Sequence, residues 1–119
     1  MSETLASKAQ GVWAWILQRV SAVVLLLLLG IHMFVMHYIP GEPLIEFASV
    51  QVRVKSLLFQ VVDAGLLGFV LYHAFNGLRA IIFDFGLSEG WQRAINWVLI
   101  VAGASLFILG ILALRSFIE

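Results

Sequence analysis

Three long apolar stretches separated by two short polar ones set the pattern of this chain. Residues 20–41, between Arg19 and Glu42, carry no Asp, Glu, Lys or Arg and include the unbroken aliphatic run Val23 to Leu29. A second stretch runs from about Ser56 to Phe83, interrupted by Asp63 and Arg79 but with 15 residues free of formal charge between them. A third covers residues 94–114, 21 residues closed by Arg115. A hydrocarbon core of about 30 Å is crossed by about 20 helical residues, so each stretch can span it once. In lipid the backbone must satisfy its own N–H and C=O groups, and the period-two alternation of a barrel strand is absent. The pattern predicts an all-α integral membrane protein: one domain, residues 1–119, with three transmembrane helices at roughly 13–38, 55–84 and 91–116.

The connections are short. Ile39-Pro40-Gly41-Glu42-Pro43 holds both prolines and ends the first helix, and a partly polar segment with Glu46, Arg53 and Lys55 leads into the second. Residues 84–93, with Gly86, Ser88, Glu89 and Gly90, make the other turn, where Ser88 is placed to cap the third helix. The first apolar run continues past Gly30 into His32-Met33-Phe34-Val35-Met36. That exceeds the about 7–15-residue core of a secretory signal, so the span is read as retained. Lys8, Arg19, Arg79 and Arg93 fall on one side and Arg53, Lys55 and Arg115 on the other, which favours a cytoplasmic amino terminus.

Composition narrows the function classes. Hydrophobic residues make up 62% of the chain and charged residues 12%, against roughly 45–50% and about 25% in soluble domains, which excludes a lone soluble globule. A formal net charge of zero argues against a nucleic-acid partner, which needs a basic stripe to displace counterions from phosphates. With no cysteine, the chain itself offers no disulfide, thiolate metal site, iron–sulfur ligation or thiol nucleophile.

Ionisable groups inside a membrane are costly, so each is a functional hypothesis. Here they are Arg19, His32, His37, Asp63, His73, Arg79 and Asp84. His73 lies well inside the second span, about 16 Å from Asp84 at 1.5 Å per residue. A neutral imidazole there can hold iron through one ring nitrogen while the other donates a hydrogen bond, which suits a haem ligand. Gly77, four residues on and on the same face, is expected to leave a flat space where a porphyrin edge could rest. Asp84 returns to that face at the membrane surface. The competing explanation is structural: a membrane histidine often bonds a neighbouring helix, and Gly65, Gly68 and Gly77 often serve only close helix approach.

His32 and His37 are five residues apart, about 140° round the first helix, so both cannot face one site. His37, beside Tyr38 and Pro40, reads as interfacial, whereas His32 lies deep toward the far leaflet and is open between packing and ligation. Counting rise along antiparallel helices puts His32 and His73 about 10 Å apart in depth, too far to share one haem. Arg19 could snorkel to headgroups, pair with haem propionates or polarise a quinone carbonyl, with Gln18 and Ser21 in support. Trp13, Trp15, Trp91 and Trp97 fit an aromatic belt. Asp63 is expected to be solvated or paired between helices rather than to relay protons.

Taken together, Gln18-Arg19-Val20-Ser21-Ala22, Tyr72-His73-Ala74-Phe75-Asn76-Gly77-Leu78-Arg79 and Asp84-Phe85-Gly86 resemble the membrane-anchor subunits of succinate dehydrogenase, the succinate:quinone oxidoreductase. The resemblance covers nearly the whole chain. It implies a non-catalytic subunit of respiratory complex II, with no catalytic residue in this chain. Partner subunits, a flavoprotein and an iron–sulfur protein, would carry the succinate chemistry, and a companion cytochrome b anchor would complete a larger helical bundle. His73 would be an axial ligand of haem b, with Arg19 and Gly77 beside the haem and Arg19, Ser21 and Asp84 around a quinone, either ubiquinone or menaquinone. Gly30-Ile31-His32 resembles the first-helix histidine of two-haem members, so His32 would bind a second haem iron. Location in the inner membrane of a prokaryote follows from the same resemblance.

Two departures bear on subtype. Phe85 stands where the hydrophobic anchor often has a tyrosine that bonds a quinone oxygen, and Trp15 stands where the cytochrome b556 (C-type) anchor has a serine one turn before the arginine. Residues 1–10 also lack the Ser-Pro-His-type segment of that C-type anchor. The hydrophobic D-type anchor is favoured; a C-type anchor of the same complex or of a fumarate reductase, a non-redox membrane adaptor and a small transporter are the alternatives.

Overall fold

The structure, a computed structural model, describes residues 5–38 and 46–119, with side chains from residue 11 onward. The proline-bearing connection at 39–43 and the side chain of Lys8 lie outside the described residues. Four helices follow in order: α1 (Leu5–Tyr38), α2 (Phe47–Val54), α3 (Leu57–Phe83) and α4 (Glu89–Ser116). Three of them are long and apolar enough to cross a membrane, at Gly11–Tyr38, Leu57–Phe83 and Glu89–Ser116, and no strand occurs among the described residues.

The three long helices match the predicted spans, with α1 beginning eight residues earlier than the apolar pattern indicates because polar residues continue the helix outside lipid. Helix α2 replaces what the sequence presents as a partly polar lead-in. Eight residues cannot hold a helix alone. It forms because Val54 and Ser49 are buried, the Ser49 hydroxyl donates to the Glu46 carbonyl at 2.8 Å, and the Phe47 ring meets Phe117 at 5.6 Å between centroids. Lys55 ends α2, and Ser56 starts α3, its hydroxyl accepting from the Phe59 N–H at 3.2 Å.

At the other end Asp84 closes α3, and the chain turns through Gly86, whose φ of +71° is a left-handed value natural to glycine. Ser88 does occupy the N-cap of α4 in extended backbone, but its hydroxyl makes no cap bond. The expected side-chain cap is therefore missing, and the Gln92 side chain instead donates to the Leu87 carbonyl at 2.9 Å.

Helix α3 is the middle of a row, packed by α1 on one side and α4 on the other. Glycines admit the second contact. The Phe107 ring lies where a Cβ on Gly68 would be 3.4 Å away, Phe75 lies 3.0 Å from the corresponding position on Gly103, and Leu67 crowds Gly110. Among the described residues the only buried ones are Ser21, Ser49, Val54, Phe59 and Val62, and α4 has none. Such a row leaves its apolar outer faces uncovered by this chain.

Because the Phe75 ring lies only 3.0 Å from where a Cβ on Gly103 would sit, the bulk of Gly103→Leu is expected to push the helices apart and destabilise the α3–α4 contact by about 1–3 kcal/mol. A lowered thermal midpoint of the purified assembly would show it; an unchanged midpoint would mean these helices do not meet there.

Candidate functional site between α1 and α3

Along α1, residues 14, 18, 21, 25, 28 and 32 recur at helical spacing and make one stripe. That stripe meets α3 in antiparallel register, and its polar members find partners at two levels. Near the amino-terminal end of α1, Asn76 donates through Nδ2 to the Gln18 amide oxygen at 2.8 Å and to the Ala14 carbonyl at 3.2 Å. Gln18 Nε2 donates to the His73 carbonyl at 3.1 Å and lies 3.5 Å from His73 Nε2. Ser21 is wholly enclosed, with 0% exposure. Its hydroxyl donates to the Gln18 carbonyl at 2.9 Å and lies 3.0 Å from His73 Nδ1.

The Ser21 hydroxyl has one hydrogen and two acceptors within reach, the Gln18 carbonyl and His73 Nδ1, so it accepts from Nδ1 only in the tautomer that carries the ring hydrogen there. In that tautomer Nε2 holds the lone pair, with the Gln18 amide nitrogen 3.5 Å away. The imidazole borders an open apolar groove of about 470 Å³, lined by Ala22, Leu25, Leu29, Leu66 and Val70 among others.

Eleven residues further along α1, His32 Nδ1 meets Asp63 Oδ1 at 2.9 Å, and its ring leans on Phe59 at 5.8 Å. The expectation that Asp63 is either solvated or paired between helices resolves to pairing. His73 and Asp63 are ten residues apart on α3, about 15 Å, so the two histidines are further apart in depth than the 10 Å reckoned from sequence. A groove of about 230 Å³ beside His32 is also lined by Val62, Arg53 and Ser56. His37 and Tyr38 are exposed at the end of α1.

Two geometric expectations change. The space over Gly77 is not open: a Cβ there would meet Gln18 Nε2 at 3.1 Å, so the glycine accommodates the Gln18 amide. Ser21 and Arg19 do not share a site, because two residues of helix turn them about 200° apart. Arg19 is exposed, its guanidinium 3.6 Å over the Trp15 ring and its Nη1 3.4 Å from the Trp15 carbonyl. Asp84 is exposed at the end of α3. The structure thus brings Ser21 to His73 and leaves Arg19 and Asp84 facing outward on the same membrane side.

Asn76 and Asn96 carry structure that the sequence reading did not single out. Arg79 donates through Nε to Asn96 at 2.6 Å and stacks on Phe83 at 4.7 Å, tying α3 to α4 beside a groove of about 380 Å³. The signal for Asn76 was present, three residues after His73 and so on its face. Among the described residues no cluster of three or more His, Cys, Asp or Glu side chains could hold a metal ion, so any iron bound at His73 needs ligands beyond that set.

The family described as succinate dehydrogenase/fumarate reductase transmembrane subunit matches this chain over residues 2–112. The chain is 31% identical over 98 residues to the succinate dehydrogenase 2 membrane subunit SdhC of Mycobacterium tuberculosis, spanning 81% of this chain and 71% of that protein. It is 33% identical over 103 residues to the succinate dehydrogenase hydrophobic membrane anchor subunit of Archaeoglobus fulgidus, 87% of each chain. The protein of the same name from Thermoplasma acidophilum is 34% identical over 84 residues, 71% of this chain and 68% of that one.

If His32 and Asp63 pin α1 to α3, a double-mutant cycle of His32→Ala and Asp63→Ala should give a coupling of about 0.6–1.7 kcal/mol, the range for hydrogen bonds between membrane helices. Thermal unfolding of the assembled protein measures it. Additive single effects would mean that the contact carries no stability.

Proposed function

The chain belongs to the succinate dehydrogenase/fumarate reductase transmembrane-subunit family, as an integral membrane anchor subunit, and we propose that it holds one side of a haem b through His73 and helps form the site of quinone reduction. The observation that carries this reading is the setting of the His73 ring: Nδ1 lies 3.0 Å from the enclosed Ser21 hydroxyl, the ring borders an apolar groove, and Nε2 has only the Gln18 amide nitrogen near it, at 3.5 Å. A metal-bound histidine characteristically gives its other N–H to an outer partner, and the residues present fit that requirement. A haem bound here supplies one-electron chemistry. A histidine of the companion anchor would complete the hold on the iron.

This chain's residues do the rest by position. The leucines and valine of the groove keep water from the imidazole, while Gln18 and Asn76 hold α3 so that His73 stays at its depth. Arg19 and Asp84 lie toward the membrane face where the amino-terminal end of α1 meets the carboxyl-terminal end of α3. There the guanidinium can polarise a quinone carbonyl and the carboxylate can pass a proton to the reduced oxygen. Phe85 has no hydroxyl to add, so a further donor comes from a partner subunit. Ser21, turned toward His73, drops out of the quinone set.

The complex so formed is respiratory complex II of a prokaryotic inner membrane. Flavoprotein and iron–sulfur partners dock at the cytoplasmic face beside the amino terminus, the side favoured by Lys8, Arg19, Arg79 and Arg93. Electrons taken from succinate reach ubiquinone or menaquinone at that face. A second haem on His32 has its own support, since Asp63 engages Nδ1 and leaves Nε2 as a possible ligand. A small transporter is disfavoured because the two polar levels are separated by apolar residues such as Leu25, Leu28 and Leu66.

In the purified complex His73→Ala is expected to abolish the haem b optical spectrum, or the part of it belonging to one haem of two, while succinate oxidation with a soluble acceptor persists. An unchanged spectrum would favour the non-redox adaptor.

A further inference from the structure

Resting on the haem reading, we propose that Ser21 is a positioning residue that accepts the Nδ1 hydrogen of His73 and thereby tunes the iron held on Nε2. A serine inside a helix ordinarily satisfies itself by bonding back to a carbonyl one turn earlier. Ser21 does so, donating to Gln18 at 2.9 Å, and this uses its only hydrogen. What remains toward His73 is a pure acceptor 3.0 Å from Nδ1, in a position with 0% exposure where no water competes. With iron on Nε2 the ring hydrogen must sit on Nδ1, so the contact is then Nδ1–H donating to the Ser21 oxygen.

For a metal to bind at Nε2, the Gln18 amide nitrogen 3.5 Å away must give way. The Nδ1–H bond pushes electron density into the ring, strengthening Nε2 as a donor and favouring the ferric state. The push is strengthened because the Ser21 hydroxyl is itself polarised by the bond it gives to Gln18. The role belongs to the hydroxyl oxygen alone: its acceptor strength, rather than the volume of the residue, is what reaches the iron. Arg19, on the opposite side of α1, has no part in it.

The test uses the purified whole complex with Ser21→Ala and Ser21→Cys, alongside the parent and His73→Ala. Haem content, the low-spin spectrum and the midpoint potential are read, and succinate oxidation with a soluble acceptor reports assembly. Ser21→Ala is expected to raise the midpoint potential of the His73-bound haem by about 59 mV, a tenfold loss of ferric preference for one electron. Ser21→Cys, whose sulfur is a weaker acceptor, should move it the same way by less, and decides the matter if the alanine variant does not assemble. Potentials equal to the parent in both variants would overturn the role of Ser21, and with haem still lost in His73→Ala the haem reading would stand. Haem retained unchanged in His73→Ala would instead overturn the ligand assignment and the proposal resting on it.

Discussion

A polar side chain placed in hydrocarbon has no water to turn to, and that constraint sets the register of α1 against α3. Ser21 and Gln18 must meet His73 and Asn76, and His32 must meet Asp63, because every alternative sliding of the two helices would strand at least one of them. Between these two levels the contact is aliphatic and tolerant, with Leu28 over Gly65. The polar pairs therefore act as two pegs about 15 Å apart along the helices, and the apolar residues between them fill space without choosing position. On the other flank of α3 the logic differs: glycines at Gly68, Gly103 and Gly110 receive ring and leucine side chains, and the Arg79–Asn96 bond closes the end.

The row of helices that results is a half-built object. Leu26 is 73% exposed and Leu57 is 75% exposed, values that a soluble protein would not tolerate across whole faces. Membership in an anchor family explains the surplus, since such a chain is one subunit among several and meets lipid and other subunits on these faces. The groove beside His73 is consistent with that: α1 and α3 wall it on two sides, and the remaining side is open.

Much of this architecture was legible in the residues. Span number and approximate limits follow from apolar run length, because lipid thickness is a single scale that every helix must meet. His73 stood out because a lone imidazole at mid-depth is expensive. What could not be read needed tertiary information. Helix α2 depends on the Phe47–Phe117 contact and on the burial of Ser49 and Val54, whereas the alternation Val50-Gln51-Val52-Arg53-Val54 on its own has the period of a strand. The partner of Asp63 depends on the register of two helices 31 positions apart in sequence. Ser21 was grouped with Arg19 because they are near neighbours in the chain, whereas helix geometry sends them to opposite sides. Gly77 looked like a vacancy, and only the placement of Gln18 shows it to be occupied.

All of these features converge on the ring of His73, whose Nδ1 meets the Ser21 hydroxyl and whose Nε2 has the Gln18 amide nitrogen 3.5 Å away. A density map of the intact complex with its partner subunits tests the central claim most directly. The account predicts a planar macrocycle beside the groove, its iron on Nε2, a partner histidine opposite and Nδ1 still facing the Ser21 hydroxyl. A map in which Nε2 touches only protein side chains or lipid, with no macrocycle beside it, would contradict the account.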